Sequence, residues 1–194
     1  MKIIIDAFGG DNAPLEILKG AMLAVDEFNI DVVLVGDEEK IIDCAKQHNI
    51  TLKNYEIVDA GDVITMCDDA KSVLREKSES SMAVGFKLLN DGRGDAFVSA
   101  GNTGAITVGA TFITKRIRGV KRPVIASVMP SANNPFLLLD CGANAQCKPE
   151  YLCQFGLLGS LYMHNIMKVE HPTVALANNG SESTKGTPVV QEAY

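Results

Sequence analysis

Continuous runs of β-branched and aliphatic residues, each followed by a helical pattern, recur along this 194-residue chain. Val32-Val33-Leu34-Val35 and Leu137-Leu138-Leu139 carry no polar alternation. A strand with one wet face alternates; a continuous apolar run suits a strand covered on both faces, as in parallel sheets. Strands are expected over residues 2–6, 31–36, 55–59, 95–99, 124–129, 136–140 and 173–178. Helices are expected between them. One starts at Pro14, capped by Asp11 or Asn12, with Leu15, Leu18, Met22, Val25 and Phe28 as its apolar stripe. Others run from Asp37 to His48, from Ser80 to Asn90 and from Asn102 or Thr103 to Lys115. A long one opens at Pro149, with Tyr151, Leu152, Phe155, Leu158, Leu161 and Tyr162 inward. This alternation predicts an α/β fold on a mostly parallel sheet flanked by helices, read as a single domain over residues 1–194. Asn133-Asn134-Pro135 reads as a hairpin turn, so one strand pair is antiparallel.

Composition removes several classes. A chain that is 46% hydrophobic is not disordered, and a net charge of −6 argues against a general nucleic-acid binder. Five cysteines, at 44, 67, 141, 147 and 153, form no Cys-x-x-Cys pair and have no neighbouring His, which argues against structural zinc. The isoleucines at 3–5 are too short a run for a signal-peptide core, and no stretch reads as a membrane span. The chain reads as cytoplasmic, with reduced thiols and no cofactor.

Ligands of open α/β sheets bind beyond the carboxyl ends of the strands. The turns expected there are Asp6-Ala7-Phe8-Gly9-Gly10-Asp11, Ser99-Ala100-Gly101-Asn102-Thr103-Gly104, Asp140-Cys141-Gly142-Ala143-Asn144 and Asn178-Asn179-Gly180. Converging on one edge, they would form a polar cleft. In the second, two glycines flank Asn102-Thr103 before a helix start, a form that suits a phosphate or a carbonyl oxygen, and equally a capped turn. It lacks the Gly-Lys-Ser/Thr of a Walker loop and the spacing of a dinucleotide fingerprint. In the third, Asp140 could orient a substrate or a cation, and Lys148 could add charge at the next helix start. Cys141 has no nearby His to activate it.

Lys115, Arg116, Arg118, Lys121 and Arg122 put five cations into eight residues of an acidic chain. They suit an acidic partner or phosphates; the plainer reading is a solvated helix end. Lys71, Arg75 and Lys77 read as a helix surface, and His48, His164 and His171 as structural.

The string Asp6-Ala7-Phe8-Gly9-Gly10-Asp11-Asn12-Ala13-Pro14 is followed in order by Ser99-Ala100-Gly101-Asn102-Thr103-Gly104-Ala105, Gly119-Val120-Lys121-Arg122-Pro123, Asp140-Cys141-Gly142-Ala143-Asn144 and Lys185-Gly186. Together they resemble the acyl-ACP:phosphate acyltransferases of bacterial phospholipid synthesis (the PlsX type) across the whole chain. The resemblance implies a fold like isocitrate/isopropylmalate dehydrogenases and phosphotransacetylase, incomplete at the C-terminus, and a homodimer. It implies acyl-acyl-carrier-protein and inorganic phosphate as substrates, and leaves room for peripheral contact with the inner membrane face or a downstream glycerol-3-phosphate acyltransferase. On matching positions, Asp6, Asn102, Asp140, Asn144 and Lys185 are expected in catalysis. Gly9, Gly10, Asp11, Ser99, Gly101, Thr103, Gly104, Arg122, Lys148 and Gly186 are expected around phosphate. Lys115, Arg116, Arg118 and Lys121 are expected to dock the acidic carrier protein. Phe8 replaces the family's Met, Asn178-Asn179-Gly180-Ser181-Glu182 carries one acidic residue fewer than the family's run, and family chains continue past Tyr194. Two other readings are an inactive homologue that only binds carrier protein or a partner, and a dehydrogenase-like enzyme of the same fold. The second needs metal-binding carboxylates and a cofactor loop that the sequence does not nominate.

Overall fold

Strands β1 (Lys2–Asp6), β2 (Asp31–Val35), β3 (Tyr55–Val58) and β4 (Ala96–Val98) form one all-parallel sheet in the order β3-β2-β1-β4. The molecule is described by a computed structural model, which covers residues 1–180, 182 and 184–194. It divides into two compact units, Met1–Arg116 and Ile117–Tyr194.

The first unit holds this sheet with helices α1 (Leu15–Phe28), α2 (Glu38–Gln47), α3 (Ser81–Asn90) and α4 (Thr103–Gly109). A 3-10 turn spans Ala70–Leu74, and α4 runs on into a π-helical turn over Ala110–Lys115. The unbroken apolar run of β2 has the expected cause: both faces are covered. Val32 and Leu34 pack with Leu18, Met22, Val25 and Ile41, while Val33 and Val35 pack with Ile4, Ala60 and Leu88. Asp37, Ser80 and Asn102 cap their helices by accepting the amides of Lys40, Ala83 and Ala105. At α1 the cap differs from expectation. Neither Asp11 nor Asn12 accepts with its side chain; backbone carbonyls of Asn12 and Pro14 take the amides of Glu16 and Leu18. Phe28 lies outside the core, 63% exposed beside the left-handed Asn29 that ends the helix.

The second unit is a hairpin and two helices. β5 (Ala126–Met129) and β6 (Phe136–Leu139) pair antiparallel, as the Asn-Asn-Pro turn predicts, and are followed by α5 (Pro149–Asn165) and α6 (Pro188–Ala193). A Cβ on Gly159 would lie 2.5 Å from Leu139 Cδ1, so α5 sits flush on one face of the hairpin. The other face is open, and Leu138 is 39% exposed. The run Leu137-Leu138-Leu139 therefore does not mark a doubly covered strand. On α5, Phe155 is buried but Leu161 and Tyr162 are exposed. Residues 173–178 form no strand, since no neighbouring backbone among the described residues pairs with them. No helix among the described residues is long and apolar enough to cross a membrane.

Candidate functional site

The chain of the first unit builds its sheet outward from β1 through β2 to β3, then crosses to place β4 on the other side of β1. The strand order reverses between β1 and β4, and in open parallel sheets a crevice opens at the carboxyl ends of such a pair. Asp6 ends β1 there, and Ser99 follows β4.

These two residues join the turns. Ser99 Oγ donates to Asp6 Oδ2 at 2.7 Å and accepts the Gly101 amide at 3.1 Å. The Phe8 amide donates to Asp6 Oδ1 at 3.2 Å. Asp6 is only 2% exposed, so both oxygens of a buried carboxyl are satisfied, as burial of such a group requires. The glycines make the approach possible. A Cβ on Gly9 would lie 2.7 Å from Ser99 Oγ, 2.8 Å from Asp6 Oδ2 and 3.0 Å from the Gly101 nitrogen. One on Gly101 would lie 3.5 Å from Gly9 Cα and 2.9 Å from Met82 Cε. Gly10 adopts φ +98, with Ala100 against it. The structure thus brings together Asp6, Gly9, Gly10, Ser99 and Gly101, and part of the glycine content serves turn-to-turn packing.

Asn102 opens α4 with its side chain fully committed. Oδ1 accepts the Ala105 amide at 3.0 Å; Nδ2 donates to the carbonyls of Thr65 and Asp68, each at 3.2 Å. It is a clamp between the helix start and residues 65–68. Thr103 and Gly104 are exposed at the first two helical positions, where amides have no intrahelical acceptor. Asp11 is exposed on the turn after β1.

Sequence reasoning missed the residues under this clamp. Asp68 Oδ2 accepts from the Thr65 amide at 2.6 Å, from Thr65 Oγ1 at 2.8 Å and from Lys77 Nζ at 2.8 Å. The Lys77 hydrogen bond foremost, then those from Thr65, lower the Asp68 carboxyl from 3.8 to about 2. Lys77, expected on a helix surface, is instead half-buried and also donates to the Val63 carbonyl at 2.6 Å.

Asp140 and Asn144 belong to the second unit and follow the antiparallel hairpin, not a parallel strand. Asp140 Oδ1 accepts the Ile125 amide at 2.8 Å, and Oδ2 accepts the Asn144 amide at 2.6 Å and Asn144 Nδ2 at 3.1 Å. Asn144 Nδ2 also donates to the Pro123 carbonyl at 2.9 Å. Both side chains staple the turn to the start of β5. Arg122 lies over the Tyr151 ring, 5.9 Å from its centroid. Lys148 is exposed just before α5 and makes no side-chain cap. Cys147 is raised above its usual value, by burial first and then by the Asp140 carboxylate, with Arg122 opposing. Cys141 Sγ points to the Leu138 carbonyl at 3.5 Å.

Lys185 is exposed and has no ion pair with Asp140 or any other described acid. Its amide donates to the Glu182 carbonyl at 2.9 Å, and Gln191 Nε2 donates to its carbonyl at 3.3 Å. Gly186 adopts φ +92 against the Asn178 amide group. Of the residues read with this segment, Ser181 and Ser183 lie outside the described residues. The basic cluster is divided: Lys115 and Arg116 close the first unit, while Arg118, Lys121 and Arg122 open the second. Lys121 is tied to α5, its amide to Gln154 Oε1 at 3.0 Å and its ammonium to the Glu150 carboxylate.

Residues 1–194 match the family model described as fatty acid synthesis protein. The chain belongs to that family. Among its relatives, a phosphate acyltransferase of Clostridium novyi is 42% identical over 195 residues, covering 100% of this chain and 59% of the relative. One of Dictyoglomus turgidum is 46% identical, covering 100% of this chain and 58% of the relative. The chain thus spans somewhat over half the length of these family members. The fold resembles EutD phosphotransacetylase from Staphylococcus aureus, with TM-score 0.69 and 22% identity over 100% of this chain and 62% of that one. A phosphotransacetylase from Streptococcus pyogenes gives TM-score 0.70 and 16% identity over 97% of this chain and 60% of that one.

Proposed function

We propose that this chain is the part of a phosphate acyltransferase that receives inorganic phosphate, in an enzyme that makes acyl phosphate from acyl-acyl-carrier-protein for bacterial phospholipid synthesis. The observation that carries this is the match of the whole chain, at 42% and 46% identity, to relatives named phosphate acyltransferase. A phosphate oxygen attacks the thioester carbonyl, a C–O bond forms, the C–S bond breaks and the carrier leaves as its thiolate. Phosphate is the nucleophile, so the protein's task is to hold it against the carbonyl and stabilise the developing oxyanion. Residues 99–104 suit the phosphate, with the exposed Thr103 and Gly104 at the start of α4 and Gly9, Gly10 and Asp11 on the adjoining turn. Asp6 and Asn102, whose side chains are spent on internal hydrogen bonds, serve by fixing those turns. Within the second unit, Arg122, Lys148 and the Lys185-Gly186 pair offer charge and backbone to an anion, with Asp140 and Asn144 shaping the turn before α5. Lys115, Arg116, Arg118 and Lys121 suit the acidic carrier. In this reading the enzyme works as a cytoplasmic homodimer at the inner membrane face, ahead of a glycerol-3-phosphate acyltransferase. Its wider kinship is with isocitrate/isopropylmalate dehydrogenases.

The test mixes the chain with acyl-acyl-carrier-protein and varies phosphate. The expected result is phosphate-dependent release of carrier thiol together with acyl phosphate, trapped by hydroxylamine. Carrier binding without any phosphate-dependent release would favour the binding-only reading instead.

A further inference from the structure

We infer that Asp68 and Lys77 are positioning residues for the phosphate turn, fixing through Asn102 where the start of α4 stands. The inference rests on the reading of residues 99–104 as that turn. Neither side chain makes a hydrogen bond to it. Their effect passes through the Thr65 and Asp68 carbonyls, which Asn102 Nδ2 grips while its Oδ1 holds the Ala105 amide.

Residues 62–69 have no helix, and their one strand-like contact is a bridge of Asp62 to Ser80, so side chains must hold the segment in place. Asp68 supplies three of the contacts that do so, folding Thr65 back and taking the Lys77 ammonium. Lys77 ties the other end, through the Val63 carbonyl and an approach of 3.9 Å to Asp62. The Asp62 carbonyl accepts the Ser81 amide at 3.0 Å, which anchors the knot on the start of α3. The Lys77 and Asp68 side chains are only 23% and 25% exposed, so their pair is shielded from water more than an ordinary surface pair. The knot thus runs from the α3 start to the α4 start in one chain of hydrogen bonds. Amides that must meet phosphate bind it best when their positions are set beforehand.

The test uses the chain with inorganic phosphate as probe. It reads amide hydrogen exchange at residues 105 and 106, whose amides Asn102 holds, without phosphate, together with phosphate affinity and the thermal midpoint. Lys77→Met and Asp68→Asn should speed exchange at 105 and 106 and weaken phosphate binding about tenfold, with exchange in β1 and β2 unchanged. Lys77→Arg should restore both. Should Lys77→Met fail to fold, Asp68→Asn, which keeps the shape and removes the charge, decides alone. Unchanged exchange at 105 and 106 in a folded variant overturns the inference. So does loosening of the whole unit that Lys77→Arg does not rescue, since the pair would then be general scaffolding. A wild-type chain that shows no phosphate binding removes the reading of the turn, while the exchange comparison still decides whether the knot sets the α4 start.

Discussion

The Ser99 hydroxyl donates to Asp6 Oδ2 at 2.7 Å, ninety-three residues away in sequence, and ties the end of β1 to the turn after β4. Ser99 Oγ in turn accepts from the Gly101 amide, so one hydroxyl bridges the carboxyl and the turn backbone. Two turns that would otherwise be separate loops become one rigid edge at the point where the strand order reverses.

This makes Gly9 the less replaceable of the two close-packed glycines. A methyl there would meet Ser99 Oγ, Asp6 Oδ2 and the Gly101 nitrogen, two of which form the tie itself. A methyl on Gly101 first meets Met82 Cε, the end of a flexible side chain. Gly9→Ala should therefore cost about 1–3 kcal/mol in urea unfolding, as overpacking does, and Gly101→Ala less. The reverse ranking would show that the two turns do not hold each other.

Asp68 predicts a pH signature with a definite sign. Its carboxyl is lowered from 3.8 to about 2, chiefly by the hydrogen bond from Lys77. A depressed carboxyl contributes stability that is complete above its unfolded value and lost as pH falls through its folded value. The urea midpoint of wild type should exceed that of Asp68→Asn by a constant amount above pH 3.8. The gap should shrink as pH falls and vanish below about 2. A gap that persists at the acid end would mean that the amide disturbs something other than charge.

The parts legible in the sequence were those decided locally. Asp37, Ser80 and Asn102 announce helix starts because a cap bonds only three residues ahead. The run at 32–35 announces a doubly covered strand because nothing polar interrupts it. The misses depended on partners that sequence does not display. Residues 173–178 have strand composition, but among the described residues no neighbouring backbone pairs with them. Leu138 sits in an apolar run, yet only one face of its hairpin is covered. Lys77 looked like a solvated cation because its partners, Val63 and Asp68, come from a loop with no pattern of its own. At the site, the two Gly-rich turns were visible, but not that their glycines face each other.

In the second unit, Asp140→Ala should loosen the turn before α5 without touching the first unit. The change removes acceptors for the Ile125 and Asn144 amides, which are part-buried, and a hydrogen bond in such a setting normally contributes about 0.5–1.5 kcal/mol. Amide exchange should accelerate at residues 124, 125 and 141–144. Faster exchange in β1 or β2 as well would contradict a role confined to this turn.

The basic cluster should act on rate. If Arg116 and Arg118 dock an acidic carrier, reversing both to Glu should slow association with acyl-acyl-carrier-protein and remove most of its salt dependence. Use of a small acyl thioester should be spared. Equal loss with both substrates would point to damage at the junction where these residues lie, between the last turn of one unit and the first of the next.

Lys185 offers the sharpest separation of binding from folding. Its ammonium is exposed and pairs with no described acid, while its backbone is held by Glu182 and Gln191. Those backbone bonds survive a side-chain change. Lys185→Met should therefore change the unfolding free energy by less than about 0.5 kcal/mol, the usual cost of a surface substitution. If the ammonium neutralises a phosphate charge, the same variant should need much more phosphate for the same rate of thioester cleavage. Added salt should weaken the phosphate response of wild type more than that of the variant, because a screened charge has less to lose by deletion. A full-length relative with the matching lysine replaced, assayed across phosphate concentrations, carries the test beyond this chain. An unchanged phosphate response in both would remove Lys185 from the site and leave its segment as a support for α6, whose first turn Thr187 caps.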